Sequence, residues 1–148
     1  MFKSGTIYSN FTPLVKAPVI GYRISGDDVL NILKKITKKN FSKDHSLVRI
    51  VKLYQKDASI LDECSVVFFK SPKSFTGEDV CEIFLHGSPL IASQFEQLLK
   101  ELKIPGLRLA KNGEFSYRSV LNNKNSLKQA KAINEIISNE SFSSLEYN

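Results

Sequence analysis

Glu82 and His86 stand in an otherwise apolar run, Val80-Cys81-Glu82-Ile83-Phe84-Leu85-His86. An unpaired carboxylate is costly to bury. Glu82 must therefore face solvent, pair with a base, or line a pocket where a donor meets it. In a strand, Cys81, Ile83 and Leu85 share one face, and Val80, Glu82, Phe84 and His86 share the other. In a helix, Glu78, Glu82 and His86 align at i, i+4. Glu82 and His86 thus share a face under either reading. A turn-rich opening, Ser71 to Asp79, precedes the run, and a His86-Gly87-Ser88 corner ends it. A glycine there lets another backbone come close.

Other chemistries fit the residues less well. Gly21 and Gly26 have the spacing of a phosphate-binding loop, but Asp27 and Asp28 follow where that motif needs Lys and Ser or Thr. Carboxylates there would repel phosphates. The spacings of His45, His86, Cys64 and Cys81 match no standard zinc pattern. No nucleophile-elbow motif is present for a Ser/His/Asp arrangement.

The elements that must position these residues belong to a soluble globular chain. Its 148 residues suffice for one domain with a sizeable core, and 42% hydrophobic with 24% charged residues is ordinary for such a domain. No apolar run approaches the roughly 20 residues of a membrane span, and the first residues lack the apolar core of a signal peptide. Two cysteines make no disulfide framework, so a reducing, cytoplasmic setting with packed thiols is expected. The net charge is +6. Its densest cluster, Lys34, Lys35, Lys38, Lys39 and Lys43, lies at the end of an expected helix, where lysines complement the helix dipole.

Periodicity and turn chemistry predict strands over Thr6–Ser9, Val19–Ile24, Leu47–Tyr54, Ser65–Phe69, Val80–Leu85 and Leu107–Ala110. Ser25 is expected to cap a helix buried through Val29, Leu33 and Ile36. Ser88-Pro89 starts a second helix with a stripe of Ile91, Phe95, Leu98 and Leu102. Asn112 is expected to cap a short helix through Phe115 and Leu121, broken at Asn122-Asn123. Leu127, Ala130, Ile133 and Ile137 suggest a last amphipathic helix. Strands and helices do not alternate regularly, so the expected class is α+β, a mixed sheet with packed helices.

Three stretches carry a family resemblance. They are Tyr22-Arg23-Ile24-Ser25-Gly26; then Ser74-Phe75-Thr76-Gly77-Glu78-Asp79-Val80 with Glu82 and His86-Gly87; then Gly113-Glu114-Phe115-Ser116 with Arg118 and Leu121-Asn122-Asn123-Lys124. In order and spacing they resemble the N-terminal domain of the MnmE (TrmE) tRNA-modification GTPases. The resemblance implies a folate-binding and dimerisation domain over residues 1–124 and the start of a helical domain over 125–148. It also implies that the family's GTPase domain is missing from this chain, which is then not expected to catalyse alone or to bind guanine nucleotides.

The positions matching the family's folate site are Arg23, Glu82 and Lys124, and the implied ligand is 5-formyltetrahydrofolate or a related reduced folate. The chemistry is reasonable. A pterin ring presents an amino group and a ring N–H side by side, and a carboxylate such as Glu82 accepts both, each bond strengthened by its charge. Arg23 or Lys124 could pair with the carboxylates of the glutamate tail. The plainer alternative is a structural Arg23–Glu82 ion pair. Implied partners are a second copy of the chain, the flavoprotein MnmG (GidA) and, indirectly, tRNA, in wobble-uridine modification, with no membrane. Some positions depart from the family pattern: Pro13 to Pro18 lacks glycine, Ser88 follows His86-Gly87, and Ser126 stands where an acidic residue is usual. The altered loop at Leu14 to Pro18 favours a rival reading, an interaction module that has lost folate binding. A third reading is an RNA-binding domain using Lys34 to Lys43.

Overall fold

The computed structural model describes residues 5–122. Among these residues the strands are β1 (Ile7–Asn10), β2 (Val19–Ser25), β3 (Val48–Tyr54), β4 (Ile60–Phe69), β5 (Val80–His86) and β6 (Arg108–Leu109). The helices are α1 (Val29–Thr37), α2 (Pro89–Glu101) and α3 (Glu114–Leu121). The strands form one sheet in the order β3-β4-β5-β2-β1-β6. Every neighbouring pair is antiparallel except β1 and β6, which run parallel. The class is α+β, as expected.

The period-2 pattern puts one sheet face in the core. Ile20, Tyr22 and Ile24 of β2, Cys64, Val66 and Phe68 of β4, and Cys81, Ile83 and Leu85 of β5 are buried together. Val29, Ile32, Leu33 and Ile36 of α1 and Ala92, Phe95, Leu98 and Leu99 of α2 cover them. Tyr22 packs its ring on Phe95, centroids 4.9 Å apart. Each such large side chain contributes about 1.5–3 kcal/mol by leaving water. Burial pushes the Tyr22 hydroxyl well above its ordinary pKa, and the charge of Glu96 adds to this.

Several element ends differ from the sequence expectation. Ser25 does not cap α1. It ends β2, and its hydroxyl serves the loop before β5, 2.7 Å from Thr76 Oγ1 and 2.9 Å from Glu78 Oε1. At the start of α1, the Asp28 carboxylate accepts from Thr6 Oγ1 at 2.9 Å and so makes no cap. β4 begins at Ile60 rather than Ser65, because the turn tightens around Asp57. Its carboxylate takes the Ser59 N–H at 3.0 Å, and Tyr54 pairs with Ile60 across a bulge. The cap of α3 is Gly113, at φ 75, rather than Asn112. Glycine adopts that left-handed backbone without the Cβ clash that Asn would meet. Ser88 caps α2 as expected, its hydroxyl accepting the Ile91 N–H.

The His86-Gly87 corner also has a definite use. A Cβ on Gly87 would lie 1.5 Å from the Ala17 carbonyl oxygen, and the Ala17 N–H donates to the Gly87 carbonyl at 3.0 Å. The backbone that comes close belongs to the chain's own Phe11–Pro18 loop.

Candidate functional site

The face of the sheet opposite α1 and α2 carries the predicted pair. Register puts Arg23 of β2 directly beside Glu82 of β5, with Val67 of β4 and Val48 of β3 continuing the row. The next row is Gly21, Phe84, Ser65 and Ile50. Directly opposed residues in an antiparallel pair point to the same side, so Glu82 and Arg23 meet on this open face. Arg23 Nη2 lies 3.6 Å from Glu82 Oε1, with the two side chains 22% and 23% exposed. That separation is beyond hydrogen-bond reach. Among the described residues the Arg23 Nε–H is buried without a hydrogen-bond partner.

Aromatic rings enclose the guanidinium. It sits 5.5 Å from the Phe11 ring, 5.0 Å from Phe75 and 5.5 Å from Phe115. Each ring comes from a different segment: the loop after β1, the loop before β5, and α3. Such cation–π contacts are worth about 0.5–2 kcal/mol each. Gly21 makes room for the first of them. A Cβ there would lie 2.2 Å from Phe11 Cζ, and Phe11 also meets Phe84 edge-on, centroids 5.7 Å apart. Phe11 and Phe75 remain 40% exposed, so the pair is reached from solvent past aromatic walls.

His86 does not join Glu82. Its Nδ1 lies 2.8 Å from Asp62 Oδ1, and its backbone N–H donates to Asp62 Oδ2 at 2.9 Å. This ties the end of β5 to β4 beside a groove of about 550 Å³ lined by Val19, Ile50, Glu63, Ser65 and Phe84. Lys124 and Asn123 lie outside the described residues, as does the helix expected from Ser126. Cys64 and Cys81 are buried free thiols. Burial, then the charges of Asp62 and Glu63, pushes the Cys64 thiol up to about 12; burial and Glu82 push Cys81 higher still. Neither can supply a thiolate near neutral pH. Among the described residues no three His, Cys, Asp or Glu side chains converge on a possible metal position.

Sequence reasoning missed the support beneath the aromatic walls. Glu114 is fully buried. Arg108 holds it bidentately at 2.8 and 2.7 Å, the Lys111 N–H donates to it at 3.0 Å, and Arg118 donates to it at 3.2 Å. Arg118 also donates to both oxygens of Glu78, at 3.1 and 3.3 Å. Asn122 Nδ2 adds a bond to the Thr76 carbonyl at 2.9 Å. The readable signal was the i, i+4 spacing of Glu114 and Arg118 on one short helix. Sequence could not show that Glu78 and Arg108 would meet them.

This network has a pH signature. Burial alone would raise the Glu114 pKa, but the Arg108 hydrogen bonds, the Lys111 N–H and the charges of Arg108 and Arg118 outweigh it and hold the carboxyl below its ordinary range. A carboxylate whose folded pKa is depressed stabilises the fold above its unfolded value, about 4.3, and loses that contribution as pH falls through the folded value. Urea denaturation is therefore expected to show wild-type stability declining below about pH 4.3. Its advantage over Glu114→Gln should shrink over the same interval. An advantage constant down to pH 2 would contradict this.

Residues 6–124 match the family described as GTP-binding protein TrmE N-terminus. Among individual proteins, the chain is 44% identical over 133 residues to a tRNA modification GTPase MnmE of Helicobacter pylori, covering 89% of this chain and 28% of that protein. It is 42% identical over 132 residues to one of Malacoplasma penetrans, covering 89% and 29%, and 41% identical over 142 residues to one of Rickettsia bellii, covering 93% and 30%. The chain thus spans under a third of the length of these relatives.

Proposed function

This chain belongs to the family of TrmE N-terminal domains, and from that premise we propose that it binds a reduced folate, 5-formyltetrahydrofolate or a close relative, and pairs with a second copy of itself. The observation that carries the reading is the unspent hydrogen-bonding capacity of the Arg23–Glu82 pair. An ion pair extends to about 4 Å between nitrogen and oxygen, but only a closer approach also forms a hydrogen bond. This one stands 3.6 Å apart with the Arg23 Nε–H unpartnered, among three aromatic rings. A flat heterocycle with adjacent donors and an anionic tail suits that environment: Glu82 accepts from the ring, Arg23 meets an acceptor, and the phenylalanines take ring faces. Lys124 is the proposed third contact, toward the ligand's carboxylates.

The wider role follows from relatives described as tRNA modification GTPases. In this reading the domain supplies folate and dimer contacts to wobble-uridine modification in the cytoplasm, together with an MnmG-type flavoprotein and, indirectly, tRNA. The GTP chemistry belongs to the rest of such a protein. Fluorescence titration of 5-formyltetrahydrofolate into the purified chain tests the reading directly. Saturable binding is expected, and no binding at millimolar ligand would favour the rival interaction module.

The open face also supports pairing. Val48 and Ile50 are 68% and 73% exposed, and they extend the two rows that begin at Arg23 and Gly21. These adjacent exposed apolar side chains support the reading of this face as an association surface. Two-fold pairing through this face would place two folate sites near one interface. Ile50→Glu, which would appear twice across such an interface, is expected to weaken dimerisation by roughly 2 kcal/mol or more, about thirty-fold. Light scattering across micromolar concentrations reads this. A variant that dimerises like the wild type would exclude this face.

A further inference from the structure

We propose that Arg118 is a positioning residue for the candidate site, acting through the aromatic rings that surround Arg23. The inference rests on the folate reading only for its consequence, not for its geometry. Phe115 and Phe75 reach Arg23 from α3 and from the Ser71–Asp79 loop. No strand ladder fixes either segment relative to the other. Arg118 does: one side of its guanidinium donates to Glu114 on its own helix, the other to Glu78 on the loop. Its side chain is 7% exposed, so water competes little for these bonds.

The arrangement is directional. A guanidinium has a rigid planar fork, so two carboxylates held by one Arg118 are held in a defined mutual geometry. Glu114 is itself fixed by Arg108 of β6, and Glu78 by the Ser25 hydroxyl at the end of β2. The chain of contacts runs from the sheet edge through α3 to the loop and back to the strand that carries Arg23. An apolar residue at 118 could fill the space. It could not set the distance between the two rings, which decides whether Arg23 stays caged at its cation–π separations. Another connection between these segments, Asn122 to the Thr76 carbonyl, acts at the C-terminal end of α3.

The test uses the whole chain with Arg118→Met, and Glu78→Ala as a second variant that leaves the Glu114 pairs intact. Two quantities are read well below each variant's melting temperature. The first needs no ligand: the Arg23 side-chain proton resonances, displaced by ring currents in the wild type, are expected to move toward unstructured values in both variants. The second is 5-formyltetrahydrofolate affinity, expected to fall about ten-fold, the scale on which loss of a supporting partner shows. Arg118→Lys keeps the charge without the fork and is expected to behave like Arg118→Met. Unmoved Arg23 resonances in folded variants would overturn the proposal and leave Arg118 a stabilising residue only. Moved resonances with unchanged folate affinity would also overturn it. A wild type that binds no folate, with resonances that still move in the variants, would instead refute the folate reading and uphold the positioning.

Discussion

Glu82→Gln is expected to weaken 5-formyltetrahydrofolate binding by about 2–4 kcal/mol, roughly thirty-fold or more, with the fold intact. Glutamine keeps the size of the side chain and one acceptor oxygen. It replaces the other oxygen with an NH₂, which would face a ring N–H or amino group, donor against donor. One charge-assisted hydrogen bond is lost and one unpaired donor is created. The structure sharpens the expectation, because the Glu82 carboxylate makes no hydrogen bond among the described residues, and its contact with Arg23 is a single 3.6 Å approach. A solvent-reachable pair at that separation, 22% and 23% exposed, is worth about 1 kcal/mol or less. The substitution should therefore change the melting temperature little. If the pair is instead structural, the melting temperature should drop while folate affinity holds. Fluorescence titration beside thermal melts distinguishes the two, and unchanged affinity would end the assignment of Glu82 to the site.

Glu114→Ala should cost far more stability than any substitution at the sheet surface, about 3–5 kcal/mol. Glu114 is the shared acceptor of Arg108, Arg118 and the Lys111 N–H. Removing it takes from Arg118 one of its two carboxylate partners and leaves Glu78 as the other, and the Arg118 side chain is only 7% exposed. Arg108 is less affected because its side chain is 26% exposed. Glu114→Gln keeps acceptor capacity on one oxygen and should lose less. For a chain of this length the loss in Glu114→Ala corresponds to a melting temperature lower by about 10 °C. A loss below 1 kcal/mol by urea denaturation, read against a two-state fit, would show that the buried cluster contributes little.

The two substitutions divide the open side of the sheet. Glu82 lies on the exposed row, where ligand chemistry can act without unfolding cost. Glu114 lies in the support beneath the aromatic walls, where a change is felt first as stability. Comparing their melts and titrations separates binding from scaffolding on the same face of the molecule.

Much of this protein was determined by sequence alone. Alternation in Val80 to His86 put Glu82 opposite Cys81, Ile83 and Leu85, because strand side chains must alternate whatever the neighbours are. The Ser88-Pro89 start of α2 and the buried stripe of α1 followed from local backbone chemistry and helical period. Family motifs placed Arg23 and Glu82 together, and strand register sets them side by side.

Tertiary structure alone decided the rest. Ser25 reads locally as a helix cap, yet the chain uses it to hold Thr76 and Glu78, because a buried hydroxyl takes whichever partner packing brings to it. His86 turns to Asp62, twenty-four residues away in sequence, rather than to Glu82. The Phe11, Phe75 and Phe115 cage and the Glu78–Arg118–Glu114–Arg108 network join segments distant along the chain. Local propensity and periodicity describe neighbours within a turn or a strand. Contacts across such distances depend on how whole elements dock, and no spacing in the sequence encodes which carboxylate a given arginine will find.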